Sequence, residues 1–289
     1  MSSDRPCLNR CLSAASLCAL VLLLASSCSR RDRDAGRVMA HLDVAVGVPM
    51  TLDASWYVPE GTDLAKASIK WSYEKPPADV EDVITSFTTP TKFGVRYGAR
   101  ICGYIHPPVT GNYTFWIASH DQSELWLSGS DDPRERKKIA EVLEATEPKK
   151  WDKEKSQKSA PLKLEKDKRY YVEAFHKQDK GVDHFSVVWQ IPKAKREVIA
   201  GKYLSEYTGT DEVRPGGLSR TVWKEISGGR VSDLTTSPRL RDDLVVEIVG
   251  VRLPVASFTP PAPGDYLISL TVQTARSVTY QRRVIIVAQ

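Results

Sequence analysis

The feature that most constrains this chain is a series of short alternating apolar and polar segments with almost no helical period among them. Residues 113–117, 170–175, 185–189 and 267–272 are rich in β-branched and aromatic side chains. An extended backbone turns successive side chains to opposite faces, so a period of two in such residues reads as a half-buried strand. Turn formers precede the strands, as at Thr110-Gly111-Asn112 and Pro263-Gly264-Asp265. Many short strands separated by turns predict an all-β protein of sandwich type. Trp126 and Trp189 lie in alternating segments and are expected in the core rather than as exposed stacking platforms. Residues 134–143 are expected as a short helix or an irregular excursion, and the Lys-rich loop near Trp151 as the longest connection.

The start of the chain reads as a targeting segment and is set aside before fold reasoning. Arg5 and Arg10 supply positive charge, and an apolar run over 12–25 follows. That run is shorter than the roughly 20 residues a membrane span needs. Ala25-Ser26-Ser27 then lead into Cys28, which resembles a lipobox. Residues 1–27 are thus expected as a lipoprotein signal peptide, Cys28 as the lipidation site and membrane anchor, and 28–40 as a tether. The alternative is an ordinary secretory signal with an incidental cysteine. The expected place is exported and membrane-anchored, at the outer membrane or cell surface, with Ser29 similar to the outer-membrane sorting pattern. Cys7, Cys11, Cys18 and Cys28 belong to this leader or its end, leaving Cys102 as a small buried hydrophobe without a disulfide partner.

Composition narrows the function class. The chain is 41% hydrophobic and 27% charged, with a formal charge of +5, as suits a soluble globular protein. Residues 131–169 hold 13 basic and 10 acidic side chains, a mixed solvated stretch rather than the one-signed stripe of a nucleic-acid binder. No H-E-x-x-H, G-x-S-x-G or Gly-rich phosphate loop is present, and His41, His106, His120, His176 and His184 lack a C-x-x-C partner. A non-catalytic protein is expected.

Several spaced motifs then align with one family. They are Tyr97-Gly98-Ala99-Arg100 leading an apolar ladder, the turn and strand over 107–116 with Gly111-Asn112-Tyr113-Thr114-Phe115, and the loop and strand over 118–127. The segments 159–164, 170–175, 181–189 and 198–204 follow in order. Over 87–204 the chain resembles the PA-14 domain of anthrax protective antigen, found also in glycosidases, flocculins and adhesins. The resemblance implies a β-sandwich that binds a glycan or cell-surface polysaccharide. In sugar-binding members two adjacent Asp residues, joined by a cis peptide, help to hold a Ca²⁺ ion that chelates sugar hydroxyls. Here His120 stands where the first Asp is expected, and imidazole is a poor ligand for a hard cation. The implied metal ligands are Asp121, Asp179 and Asp183. A metal-free reading keeps His120, Asp121, Gln122, Asp183 and His184 as direct carbohydrate contacts, and a plainer one has Asp121 only capping a turn.

The flanks resemble the two halves of a polycystic-kidney-disease-type, immunoglobulin-like domain. The expected organisation is a first half over 41–80, a PA-14-type domain over 81–240, and a second half over 241–289. Residues 217–237 resemble the opening of a PA-14 unit placed after its exit, as a permuted first strand or a truncated repeat. The expected function is a non-catalytic carbohydrate-binding or adhesion module, or alternatively a structural, protein-interaction scaffold with no sugar site.

Overall fold

The computed structural model describes residues 38–288, apart from Asp211, Ser227, Asp242, Asp243 and Ser277. The leader over 1–27, Cys28 and the tether up to residue 37 lie outside the described residues. The described chain divides into two compact units, a flanking one from residues 38–76 and 244–288 and a central one over 77–242.

The chain opens in the flanking unit with β1 (Val38–Val44), β2 (Met50–Asp53) and β3 (Ser68–Glu74). Strand β1 therefore begins inside the segment expected as tether, because Val38 to Val44 pair in parallel with the last strand of the chain. The central unit follows with β4 (Val80–Ile84), β5 (Tyr97–Ile105), β6 (Gly111–Ser119), β7 (Ser123–Leu127) and β8 (Lys137–Val142). It continues with β9 (Leu162–Leu164), β10 (Tyr170–Gln178), β11 (Phe185–Gln190), β12 (Arg196–Val198), β13 (Leu204–Glu206) and β14 (Leu218–Lys224), then one helix, α1 (Val231–Thr235). The chain returns to the flanking unit through β15 (Ile248–Val249), β16 (Val255–Phe258), β17 (Gly264–Gln273) and β18 (Thr279–Ala288).

Each unit is two sheets closed over one core. In the flanking unit the order β1-β18-β17-β3 faces β15-β16-β2, around Trp71, Phe258, Tyr266 and Ile286. In the central unit a seven-stranded sheet ordered β4-β14-β5-β10-β7-β8, with β13 also on β5, packs on the sheet β12-β11-β6-β9. The period of two decides which residues meet between them: Tyr113, Phe115 and Ile117 from β6, Leu125 and Leu127 from β7, and Phe185, Val187 and Trp189 from β11.

Both units start a long strand with the same device. Gly111 heads β6 and Gly264 heads β17, and each is followed two residues later by a fully buried tyrosine. The Tyr113 hydroxyl donates to the Val109 carbonyl at 2.7 Å and accepts the Val109 N–H at 3.4 Å. The Tyr266 hydroxyl does the same with Ala262, at 2.7 and 3.0 Å. A buried phenol must find a partner, and this one stitches the incoming loop to the strand it feeds.

Two sequence expectations need correction. Residues 137–142 form strand β8 rather than a helix, because Ala140 and Val142 supply alternate core contacts while Lys138 and Glu141 face solvent. Trp126 is half-buried and lies on the opposite face of β7 from Leu125 and Leu127, so it is not a resident of the inter-sheet core. The loop over 143–161 is anchored, since Trp151 is buried against Trp116, Ala118 and Val188. Cys102 is buried, and burial raises its thiol pKa.

Residues 217–237 belong to the central unit. Strand β14 lies between β4 and β5, and buried Arg220 holds Asp82 of β4 through a fork, Nε to Oδ1 at 2.8 Å and Nη2 to Oδ2 at 2.5 Å. Trp223 packs with Phe175, Ile226, Val231 and Leu234, so α1 rests on the outer face of the large sheet. Gly98 makes room for it, because a Cβ there would lie 2.5 Å from Leu234 Cδ1.

Gly103 is a tighter constraint. A Cβ on it would run into the carbonyl oxygen of Ser205, and that oxygen belongs to the backbone of β13 paired to β5. Neither strand can shift without breaking its ladder. Gly103→Ala is expected to lower the unfolding free energy by about 2 kcal/mol, while Gly129→Ala, with open space around it, changes it by less than about 0.5 kcal/mol. Urea unfolding of the two variants checks this, with the midpoint moving and the slope unchanged.

Candidate functional site

The loops at one end of the central sandwich bring the expected site residues into one neighbourhood. Strand β6 ends at Ser119 and β7 begins at Ser123, so only 120–122 turn the chain. Ser119 Oγ binds the Asp121 carbonyl at 2.8 Å and lies 2.7 Å from Ser123 Oγ, closing the turn from inside. Asp121 takes the left-handed conformation at φ 57°, one that Asp tolerates better than most side chains. The β10–β11 loop, 179–184, lies beside it, and the His120 N–H donates to the His184 carbonyl at 2.9 Å.

The side chains divide into two groups. Asp183 is buried, and its carboxylate accepts from the Phe93 N–H at 2.9 Å, the Gly94 N–H at 3.3 Å and the Tyr97 hydroxyl at 3.1 Å. Burial and this carboxylate together push the Tyr97 phenol far above its ordinary pKa. His184 is also buried, donating Nε2–H to the Thr146 carbonyl at 2.8 Å, and burial lowers its pKa. These two residues brace the loops and present no polar group at the surface.

Gln122 is partly exposed but committed. Its Nε2 donates to the Leu143 carbonyl at 3.2 Å, and its Oε1 accepts the Val231 N–H at 3.3 Å. The Gln122 N–H donates to the Gly229 carbonyl at 3.3 Å, so the strand-to-helix segment around 229–231 is tied to this turn. What remains open is His120 and Asp121, whose side chains are 29% and 21% exposed. His120 Nδ1 is 3.2 Å from Gln178 Nε2, and its ring lies over Gly181, where a Cβ would come within 2.8 Å of it. Asp121 Oδ2 accepts the Asp179 N–H at 2.7 Å. Asp121 Oδ1 and His120 Nε2 keep no hydrogen-bond partner among the described residues.

The donor set does not fit the calcium ion that the resemblance implies. Ca²⁺ takes six to eight oxygens, several of them carboxylate. Among the described residues no group of three or more His, Cys, Asp and Glu side chains is placed to hold a metal ion. Asp183 spends both oxygens on three protein donors, and Asp121 spends one on Asp179. No cis peptide bond occurs among the described residues, so the His120–Asp121 link is trans.

Three residues under the loops were not singled out by sequence. His176 is fully buried, with Nε2–H donating to the His120 carbonyl at 2.9 Å and Nδ1 without a partner. Lys177 is fully buried and donates to the Gln178 carbonyl at 3.2 Å; burial pulls its pKa down to about 8 despite Asp179, Asp233 and Asp121 nearby. Gln178 bridges His120 Nδ1 and the Lys180 carbonyl. The only signal available was their place at the end of an alternating strand, which does not reveal that both faces are covered.

Burial holds the His176 imidazole neutral, with its pKa lowered from 6.5 to about 4. The unfolded chain takes up this proton first as pH falls, so the folded state loses stability between pH 6.5 and 4 and loses no more from this group below that. A shift of that size is worth about 3 kcal/mol at full development. Urea unfolding measured from pH 7 to pH 4 is expected to show this fall, and His176→Gln is expected to flatten it.

Known proteins share parts of this chain. Residues 75–201 match the PA14 domain family. A mouse N-acetyl-beta-glucosaminyl-glycoprotein 4-beta-N-acetylgalactosaminyltransferase 1 is 40% identical over 139 residues, which is 44% of this chain and 13% of that protein. Dog fibrocystin is 32% identical over 124 residues, 40% of this chain and 3% of its own length. The chain thus spans a small part of either relative. Among solved structures, the Epithelial Adhesin 6 A domain from Candida glabrata, in complex with Galβ1-3GlcNAc, is similar with a TM-score of 0.34 and 15% identity, over 60% of this chain and 92% of that one. The PA14 match over 75–201 covers the motifs of the central unit from Tyr97 to the start of the 198–204 segment.

Proposed function

We propose that the central unit is a carbohydrate-binding or adhesion module that performs no chemistry itself, carried on an exported chain anchored through Cys28. The observation that carries this reading is the β6–β7 turn. His120 and Asp121 offer open polar atoms at a tip whose backbone is held by Ser119, Ser123, Gln178 and the β10–β11 loop. A carboxylate and an imidazole on a rigid tip can accept from and donate to sugar hydroxyls, and a rigid tip loses little entropy on binding. The mouse relative supports a role beside glycan chemistry, because its name is that of a glycosyltransferase and the shared segment is only 13% of it. Recognition here uses direct hydrogen bonds rather than a bridging calcium ion.

One observation favours the scaffold reading instead. Gln122, Asp183 and His184 spend their polar groups inside the protein, leaving a small open set for a sugar. A glycan array read with and without EDTA separates the two. The expected result is binding of neutral glycans that survives EDTA and falls about tenfold or more in Asp121→Ala and His120→Ala, the loss of a charge-assisted hydrogen bond. Binding to no glycan would establish the scaffold reading, and binding abolished by EDTA would restore the metal. Among the described residues no helix is long and apolar enough to cross a membrane. The anchor reading predicts that Cys28→Ser releases the chain from the membrane fraction.

A further inference from the structure

The outer face of the large sheet holds a cavity of about 410 Å³ that the loop site does not use. Arg100, Glu124, Trp126, Arg136, Glu173 and Phe175 line it. The strand register explains why they meet. Glu173 on β10 is directly opposite Trp126 on β7, and Phe175 is opposite both Arg100 on β5 and Glu124 on β7. Residues opposite one another share a face, and positions two apart share it too. Ile226 and helix α1 cover the neighbouring part of this face, over Trp223 and Phe175, and Thr235, Leu240 and Arg241 form one wall of the cavity.

The chemistry inside is that of an anion receptor. Glu173 is fully buried and holds two guanidinium groups, with Arg100 Nε 2.5 Å from Oε1 and Arg136 Nε 2.6 Å from Oε2. The Tyr171 hydroxyl donates to Glu173 Oε1 at 3.1 Å and accepts from Arg100 Nη2 at 3.3 Å. Glu124 shares Lys138, at 3.1 Å, with Glu141, at 2.6 Å. The lining carries Arg100, Arg136 and Arg241 against Glu124 and Glu173, one positive charge in excess, in a cavity open to solvent. Arg136 Nη1 is taken by the Pro133 carbonyl, but Arg100 Nη1 and Arg136 Nη2 have no acceptor among the described residues. Both side chains are over a third exposed, so these donors can be reached from solvent.

The aromatic wall adds a second kind of contact. Trp126 is half-buried, and its indole Nε1 is fixed by Glu124 Oε2 at 3.0 Å. The ring packs against the cluster of Phe175, Trp223 and Leu234 and lines the cavity that the guanidinium pair also lines. Nothing in the inter-sheet core needs Trp126, since Leu125 and Leu127 fill that side of β7.

We infer that this cavity binds an acidic saccharide, its carboxylate or sulfate seated between Arg100 and Arg136 and its ring against Trp126. Guanidinium groups match the geometry of both anions with paired hydrogen bonds. This site is separate from the His120–Asp121 tip and stands whether or not that tip binds sugar.

The test uses the full chain, isothermal titration, and three probes: a galacturonate tetramer, a heparin-derived tetrasaccharide and neutral galactotetraose. At least one acidic probe is expected to bind, more weakly as salt rises, and the neutral probe is expected not to bind at this site. Arg136→Gln and Trp126→Ala are each expected to weaken the acidic probe about tenfold or more, and Trp126→Phe to retain most of the affinity. Arg136 lies at the rim and Glu173 keeps Arg100, so Arg136→Gln is expected to leave the urea midpoint near that of the parent. Asp121→Ala is expected to leave acidic binding unchanged, which separates this site from the loop tip. Failure of both acidic probes to bind overturns the inference, as does acidic binding that Arg136→Gln and Trp126→Ala leave intact. Preference for one acidic probe identifies the anion as carboxylate or sulfate.

Discussion

Everything in the central unit is arranged around β10, a strand buried at all nine of its positions. A strand in a two-layer sandwich has one face in the core and the other free to meet water. The inner face of β10 is ordinary, with Tyr170, Val172 and Ala174 among the core side chains. Its outer face carries Tyr171, Glu173, Phe175 and Lys177, and each has to be covered by something different. Tyr104 and Tyr207 cover Tyr171, the α1 segment covers Phe175, and Arg100 and Arg136 cover Glu173. The cavity beside Glu173 is a consequence of this covering. Ile226 and α1 reach across the face, and Thr235, Leu240 and Arg241 wall one side of the cavity that holds the guanidinium pair.

The sandwich itself was legible because its signal is local. Tyr113-Thr114-Phe115-Trp116-Ile117 and 185–189 alternate, and the structure puts Tyr113, Phe115, Ile117, Phe185, Val187 and Trp189 on the inner face. What alternation cannot say is whether the other face is wet. Trp126 was assigned to the core because it lies in an apolar strand, yet its register puts it on the outer face beside Glu173. Residues 137–142 escaped notice as a strand because the charges at Lys137, Lys138 and Glu141 hide a two-residue apolar rhythm at Ala140 and Val142.

The site was less legible than the fold for a related reason. Asp121, Asp183 and His184 look alike in the sequence, as polar residues in loops. Only the folded chain distinguishes an Asp whose oxygens serve Phe93, Gly94 and Tyr97, some 90 residues away, from one that keeps an oxygen at the surface. The contact His176 makes to the His120 carbonyl spans 56 residues, and no spacing rule anticipates it. Residues that hold a loop in place and residues that use it share a composition. They differ in what lies on their other side.

The central unit also has a different extent from the family match. Residues 75–201 end before β13 and β14, yet these two strands share one edge of β5. Strand β14 pairs with 97–102 and β13 with 103–105, while β10 takes the whole opposite edge. Without β14, the edge of β5 over 97–102 would show unpaired backbone groups at alternate residues, and β4 would lose the partner that its Asp82 holds through Arg220. An open edge of that length invites pairing with another chain. The folding unit is therefore the longer segment, and Gly98 and Gly103 are small because the later residues have to lie directly on β5.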